Sequence, residues 1–294
     1  MDMQQYNTYM QGAIDQYDSP QNYELVGQTF EFAMDDGIDY RLRFMDRSTL
    51  EWNYENEAPR SASNYLCVKG DNTTYLVSFE LENVALRTNH TWVIDLENQL
   101  VTRILSVIGD HPKYQYVIRP KYEFGAIKQE GVELKIYPRH GYTSDLVGTL
   151  VQWFYGSAMT TVHAYYCTNY YRITYPPERA ASRVFNEALA RIPSSDEPVA
   201  YIKIKEGMYL FSLTESTSEK ILQGEGFIHR SNTMALLQNY KRVNLVGRSF
   251  GTVMREEKPT RLHKTFAAYG RLLDPENVEE RIRKLFTDPN PYIV

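Results

Sequence analysis

The chain is poor in cysteine: Cys67 and Cys167 are the only two among 294 residues. A disulfide framework is excluded, and the pair fits a reducing compartment. No apolar run approaches the roughly 18 residues that a membrane-spanning helix needs, so no membrane partner is expected. The polar N-terminal stretch lacks a charged-then-apolar leader, which makes the cytoplasm the expected location. A stripe of one charge is missing as well. Lys and Arg number 32 against 37 Asp and Glu, a net charge of −5 with the signs mixed, and a nucleic-acid partner is not expected. Nor is there a glycine-rich phosphate loop, a paired-cysteine metal spacing, a His-Glu-x-x-His or a nucleophile elbow. Those absences speak for a pocket enzyme or a binder that uses no cofactor and no metal, and against a nucleotide-driven machine.

What the chain has in quantity is tyrosine, 24 residues of it. A ring that is apolar with a hydroxyl at its tip suits strands and the lining of a ligand cavity. It suits ordinary β-rich composition equally well. The chain also repeats itself. Glu24-Leu25-Val26-Gly27 is echoed by Asp145-Leu146-Val147-Gly148, and Thr74-Tyr75-Leu76-Val77-Ser78-Phe79-Glu80 by Met208-Tyr209-Leu210-Phe211-Ser212-Leu213-Thr214-Glu215. An internal repeat at this spacing predicts two similar β domains in tandem.

The expected organisation follows. Residues 1–22 form an N-terminal arm, 23–120 a first barrel, 121–144 a linker, 145–255 a second barrel and 256–294 a C-terminal extension. In the first half, Asp35-Asp36-Gly37 is a hairpin turn. Asp39-Tyr40-Arg41-Leu42-Arg43-Phe44 alternates polar and apolar, as a half-buried strand does. If Tyr40, Leu42 and Phe44 face inward, Arg41 and Arg43 face solvent, and the first barrel is mainly structural. In the second half, strands are expected over Val151–Tyr155, Val162–Cys167, Asn169–Thr174, Ala200–Lys205, Met208–Leu213, Lys220–His229, Met234–Gln238 and Leu245–Gly251. Ala180, Val184, Phe185 and Leu189 are spaced for one apolar face, which predicts an inserted helix over Glu178–Arg191. Asp274 as cap and Pro275 at the first position predict a C-terminal helix over Pro275–Phe286.

Candidate site residues collect in the second half. Val151, Trp153 and Tyr155 share one strand face, and His163, Tyr165 and Cys167 share another. Glu215 follows an apolar run in which a charge is unexpected. A carboxylate, an imidazole and phenols entering one lumen suit general acid–base work, and a carboxyl there should have a raised pKa. The catalytic candidates are Glu215, His163 and Tyr155. Trp153, Tyr165, Tyr209 and Arg172 are the candidates for holding substrate. Against this stands the plainer reading, in which a strand-end Glu is solvated and a lone His is a satisfied structural residue.

Two resemblances rest on particular stretches. Leu25-Val26-Gly27, Asp36-Gly37 and Leu50-Glu51-Trp52, with Leu146-Val147-Gly148, His163-Ala164-Tyr165-Tyr166 and Tyr209–Glu215, resemble the family labelled molybdenum cofactor biosynthesis protein F. The resemblance covers roughly residues 23–255. It implies a mainly β fold of two tandem lipocalin-like (calycin) antiparallel barrels. Lys205–Glu215 is also similar to a segment of bacterial phenolic acid decarboxylases. That likeness implies an acid–base role for Glu215 on the substrate alkene. Trp153 and Tyr155 fall where that family has a carboxylate-holding Tyr pair, so one phenol is a Trp here. The combined expectation is an enzyme without a cofactor, acting on a small aromatic, phenolic or polyketide-like molecule as a lyase, decarboxylase, isomerase or cyclase. The alternatives are a lipocalin-like binding protein and a structural module with a filled lumen. A homodimer is a candidate assembly.

Overall fold

The computed structural model describes residues 19–110, 112, 118–132, 138–155, 160–175, 194–215, 229–255, 258–274, 276, 280 and 283. They divide into two compact units, one over Pro20–Gly141 with Lys203–Glu206, the other over Tyr142–Ile202 and from Gly207 onward. Each unit is built on one antiparallel sheet.

The first sheet contains β1 (Thr29–Met34), β2 (Asp39–Phe44), β3 (Thr49–Tyr54), β4 (Arg60–Ser63), β5 (Leu66–Lys69), β6 (Thr74–Glu80), β7 (Thr88–Asp95), β8 (Leu100–Val107) and β9 (Lys121–Ile127). Their spatial order is β4-β3-β2-β1-β9-β8-β7-β6-β5. Alternation sets its concave face. Phe30, Phe32 and Met34, then Tyr40, Leu42 and Phe44, are buried, while Arg41 and Arg43 point to solvent as their spacing predicts.

The second sheet contains β10 (Gly141–Tyr142), β11 (Thr149–Phe154), β12 (Thr160–Tyr165), β13 (Tyr170–Thr174), β14 (Ser195–Lys205), β15 (Met208–Thr214), β16 (His229–Asn239), β17 (Asn244–Arg255) and β18 (Lys258–Leu272). The order is β10-β14-β13-β12-β11-β18-β17-β16-β15, and β14 also pairs with β15. Eight strands, β11 to β18, therefore close into a barrel.

The expectation of two closed barrels is corrected by the first sheet, which curls without closing. The 11-residue β14 is one unbroken strand that pairs along both edges. In the first unit the matching stretch is broken after Ser63, where Asn64 adopts a left-handed φ of 55°. The two pieces, β4 and β5, have four residues each. β4 pairs only with β3 and β5 only with β6, leaving two short edges.

Two expected boundaries also move. β9 lies in the expected linker, yet it pairs with both β1 and β8. β18 lies in the expected C-terminal extension, yet it pairs with both β11 and β17. The helix expected over Glu178–Arg191 and the strand over Lys220–His229 fall outside the described residues, apart from His229, which opens β16. Of Pro275–Phe286 only residues 276, 280 and 283 are described; Glu280 and Arg283 have helical conformation, and the rest of the expected helix lies outside the described residues. Asp274 does accept a hydrogen bond from the Glu276 N–H, at 3.0 Å.

The repeat is structural. Gly27 and Gly148 both take positive φ, 84° and 92°. Such a conformation strains a residue with a Cβ. The Gly27 N–H donates to the Phe44 carbonyl at 2.8 Å, and the Gly148 N–H to the Tyr165 carbonyl at 2.7 Å. Leu25 and Leu146, one in each turn, are buried. Each turn thus ties the start of a hairpin, β1–β2 or β11–β12, to the end of its second strand.

A different glycine is needed for packing. Gly270 on β18 lies directly across from Trp153 on β11. A Cβ at Gly270 would sit 2.6 Å from two atoms of the indole ring. Gly270→Ala is expected to cost about 1–3 kcal/mol through overpacking, read as a lower urea midpoint. An unchanged midpoint would show that the indole has room to move.

Candidate functional site

Inward-facing residues of the closed barrel form three layers. At its floor, the Asp145–Gly148 turn inserts Leu146, and the Tyr209 hydroxyl donates to Asp145 Oδ2 at 3.1 Å. The first unit does the same with Tyr75 and Glu24 Oε2, at 2.7 Å. Tyr209, expected to touch substrate, is thus one half of a repeated floor contact. Tyr209→Phe should cost about 1 kcal/mol in a urea melt and leave ligand affinity unchanged. A large loss of affinity would return it to the binding site.

The middle layer is aromatic and fully buried. It comprises Trp153, Tyr165, Tyr171, Tyr201 and Phe211, together with His163. The Tyr165 hydroxyl is its hub, accepting from Trp153 Nε1 at 3.1 Å and Gln238 Nε2 at 3.0 Å. His163 packs against Tyr171 and Phe211, with ring centres 4.8 Å and 5.8 Å away. Its Nδ1 lies 3.4 Å from the Tyr165 hydroxyl, and its Nε2 has no partner among the described residues. Burial pushes the imidazole down to about 3. Burial thus favours the neutral imidazole at neutral pH.

The upper layer is polar. Glu215 follows β15, and its N–H donates to the Asn232 carbonyl at 3.0 Å. In return Asn232 Nδ2 donates to Glu215 Oε2 at 2.8 Å. Although Glu215 is only half-buried as a residue, loss of hydration is the largest influence on its carboxyl. The Asn232 bond favours the ionised form, and the charge of Glu197 opposes it. The balance raises Glu215 to about 7. Glu197 itself is fully buried on β14 and accepts from the Ser195 hydroxyl at 3.1 Å.

Tyr155 completes this layer. Its ring lies 5.0 Å from that of Phe266, and Thr161 Oγ1 donates to its hydroxyl at 3.4 Å. Burial, with a smaller contribution from the Glu215 charge, holds the phenol well above its usual range. Burial and the charges of Glu197 and Glu215 act likewise on Tyr171.

The charge of Glu215 acts on Tyr155 and Tyr171, and that of Glu197 acts on Glu215; sequence reasoning missed Glu197 and Tyr171. Glu215 and His163 share no contact among the described residues. Trp153 and Tyr165 belong to the layer below. Arg172 lies elsewhere. It alternates with the core residues Tyr171 and Ile173 and is only partly buried. Its guanidinium grips Asp196 with two bonds, of 2.8 Å and 2.5 Å.

Among the described residues no group of three or more His, Cys, Asp or Glu is placed to hold a metal ion. No helix among them is long and apolar enough to cross a membrane. The profile of the MoaF N-terminal domain matches residues 5–110. No curated protein matches the chain.

Proposed function

Residues 5–110 are similar to the MoaF N-terminal domain, and for the closed barrel that lies outside that match we propose acid–base chemistry on a small aromatic or phenolic molecule. One observation carries the reading: Glu215, a carboxyl raised to about 7, stands in the polar upper layer of the barrel. A group that titrates near the working pH is present in both forms and can take a proton and return it. Glu197 sustains that poise by discouraging a second negative charge. Tyr155 and Tyr171 stay protonated and can donate hydrogen bonds to substrate oxygens. The aromatic layer beneath them gives a planar ring a surface to stack on and keeps water out.

The reaction classes that need no more than this are proton transfers of the lyase, decarboxylase, isomerase or cyclase type. The test is incubation of the full chain with a panel of phenolic acids and enol-containing aromatics, followed by mass spectrometry and chromatographic separation of isomers. Turnover should appear, with kcat/KM inflecting near pH 7 and little product from Glu215→Gln. Binding with no change of mass or isomer would make the barrel a carrier and end the enzymatic reading.

A further inference from the structure

The concave face of the first sheet holds a cluster outside the site just described. Arg103 on β8 is almost wholly buried, an uncommon place for a guanidinium. One of its terminal nitrogens bonds Glu123 on β9. The other lies 3.0 Å from His90 Nε2. Its central carbon is 4.6 Å from the Tyr40 ring centre and 5.7 Å from that of Trp92. The His90 ring packs against Trp52 at 5.0 Å and Phe79 at 5.5 Å.

Hydrogen-bond direction settles the state of His90. Arginine only donates, so Nε2 accepts. Burial, and then the Arg103 charge, hold the imidazole neutral. The ring proton therefore sits on Nδ1. That N–H, the Trp92 indole N–H and the Arg103 Nε–H are all buried with no acceptor among the described residues. Leaving one such donor unmade is costly, and three in touching side chains call for a common cause.

We propose that this cluster is a second binding site, which takes a small aromatic carboxylate by donating the N–H groups of Trp92 and Arg103 to its oxygens. A carboxylate accepts at several positions and brings no proton of its own. An alcohol or amine would add a donor where donors are already in excess. Arg103 makes the bond charge-assisted, and Trp52 and Phe79 supply surfaces for the ligand's ring.

The chain has three Trp, at positions 52, 92 and 153, so its indole N–H signals in a proton–nitrogen NMR spectrum can be assigned from single Trp→Phe variants. Benzoate and 4-hydroxycinnamate are titrated into the full chain. The Trp92 signal should move saturably, while that of Trp153, already bonded to Tyr165, stays in place. Benzyl alcohol should move it far less. Trp92→Phe keeps a ring but loses the donor, and should weaken benzoate binding by roughly tenfold. Glu215→Gln should leave the Trp92 response intact, which separates this site from the barrel. A Trp92 signal unmoved by either acid up to its solubility limit would overturn the proposal. So would an equal response to benzyl alcohol, or movement confined to Trp153.

Discussion

Replacing Glu215 with glutamine is expected to lower turnover by about 10²–10⁴-fold while making the fold more resistant to denaturant above neutral pH. Both effects come from one cause. The carboxyl is raised from 4.5 to about 7, chiefly by loss of hydration. Below pH 4.5 it is protonated in the folded and the unfolded chain and affects neither. Between 4.5 and about 7 the unfolded chain releases the proton while the folded chain keeps it, so stability falls as the pH rises. Above that window the cost is constant, on the order of 2 kcal/mol once partial access to solvent is allowed for. Glutamine keeps the shape and can still meet Asn232, but it carries no charge to desolvate. Urea unfolding of both proteins at pH 4 and pH 8 provides the check. The variant's advantage should be small at pH 4 and grow toward pH 8. Equal stabilities at both values would mean that Glu215 is not held in a desolvating environment, and the proton-transfer role would go with it.

The second large effect is one of packing. Trp153→Ala should destabilise the barrel by about 3–5 kcal/mol. The indole is fully buried, it donates to the hub hydroxyl of Tyr165, and the opposing strand has a glycine where the ring lies. Truncation leaves a cavity that Gly270 cannot fill and removes one of the donors that fix Tyr165. Trp153→Phe separates the two contributions. It retains most of the apolar volume and should lose only about 1–2 kcal/mol, chiefly the N–H. Denaturant midpoints with unchanged slopes would report both values. A loss below about 1 kcal/mol for the alanine variant would mean that the aromatic layer is loosely packed.

Much of the architecture was legible because it is periodic. Tyr40, Leu42 and Phe44 alternate with polar neighbours and are buried as that alternation requires. The echoed Leu-Val-Gly turns and the Tyr75 and Tyr209 strands mark equivalent positions in the two units. What escaped was whatever depends on a single residue's conformation. Nothing in the pattern around Asn64 signals the left-handed turn that splits β4 from β5 and leaves one sheet unclosed. The candidate site was half readable. Glu215 stood out as a charge ending an apolar strand. Glu197 was hidden in Ser194-Ser195-Asp196-Glu197-Pro198, which reads as a loop. Its period-two spacing from Val199 and Tyr201 was the available signal. His163 was placed correctly in the lumen, but its layer relative to Glu215 depends on strand register, which pattern alone does not supply.

The pairing of β11 with β18 has a consequence for synthesis on the ribosome. The hairpins joining β16, β17 and β18 are local and can zip as soon as they emerge. β11, made far earlier, must wait with a bare edge until Leu272 has left the exit tunnel. Ring closure is therefore a late event in the life of each nascent chain, and a ribosome that stalls just upstream of β18 leaves Val151 and Trp153 open to any neighbour with a free strand.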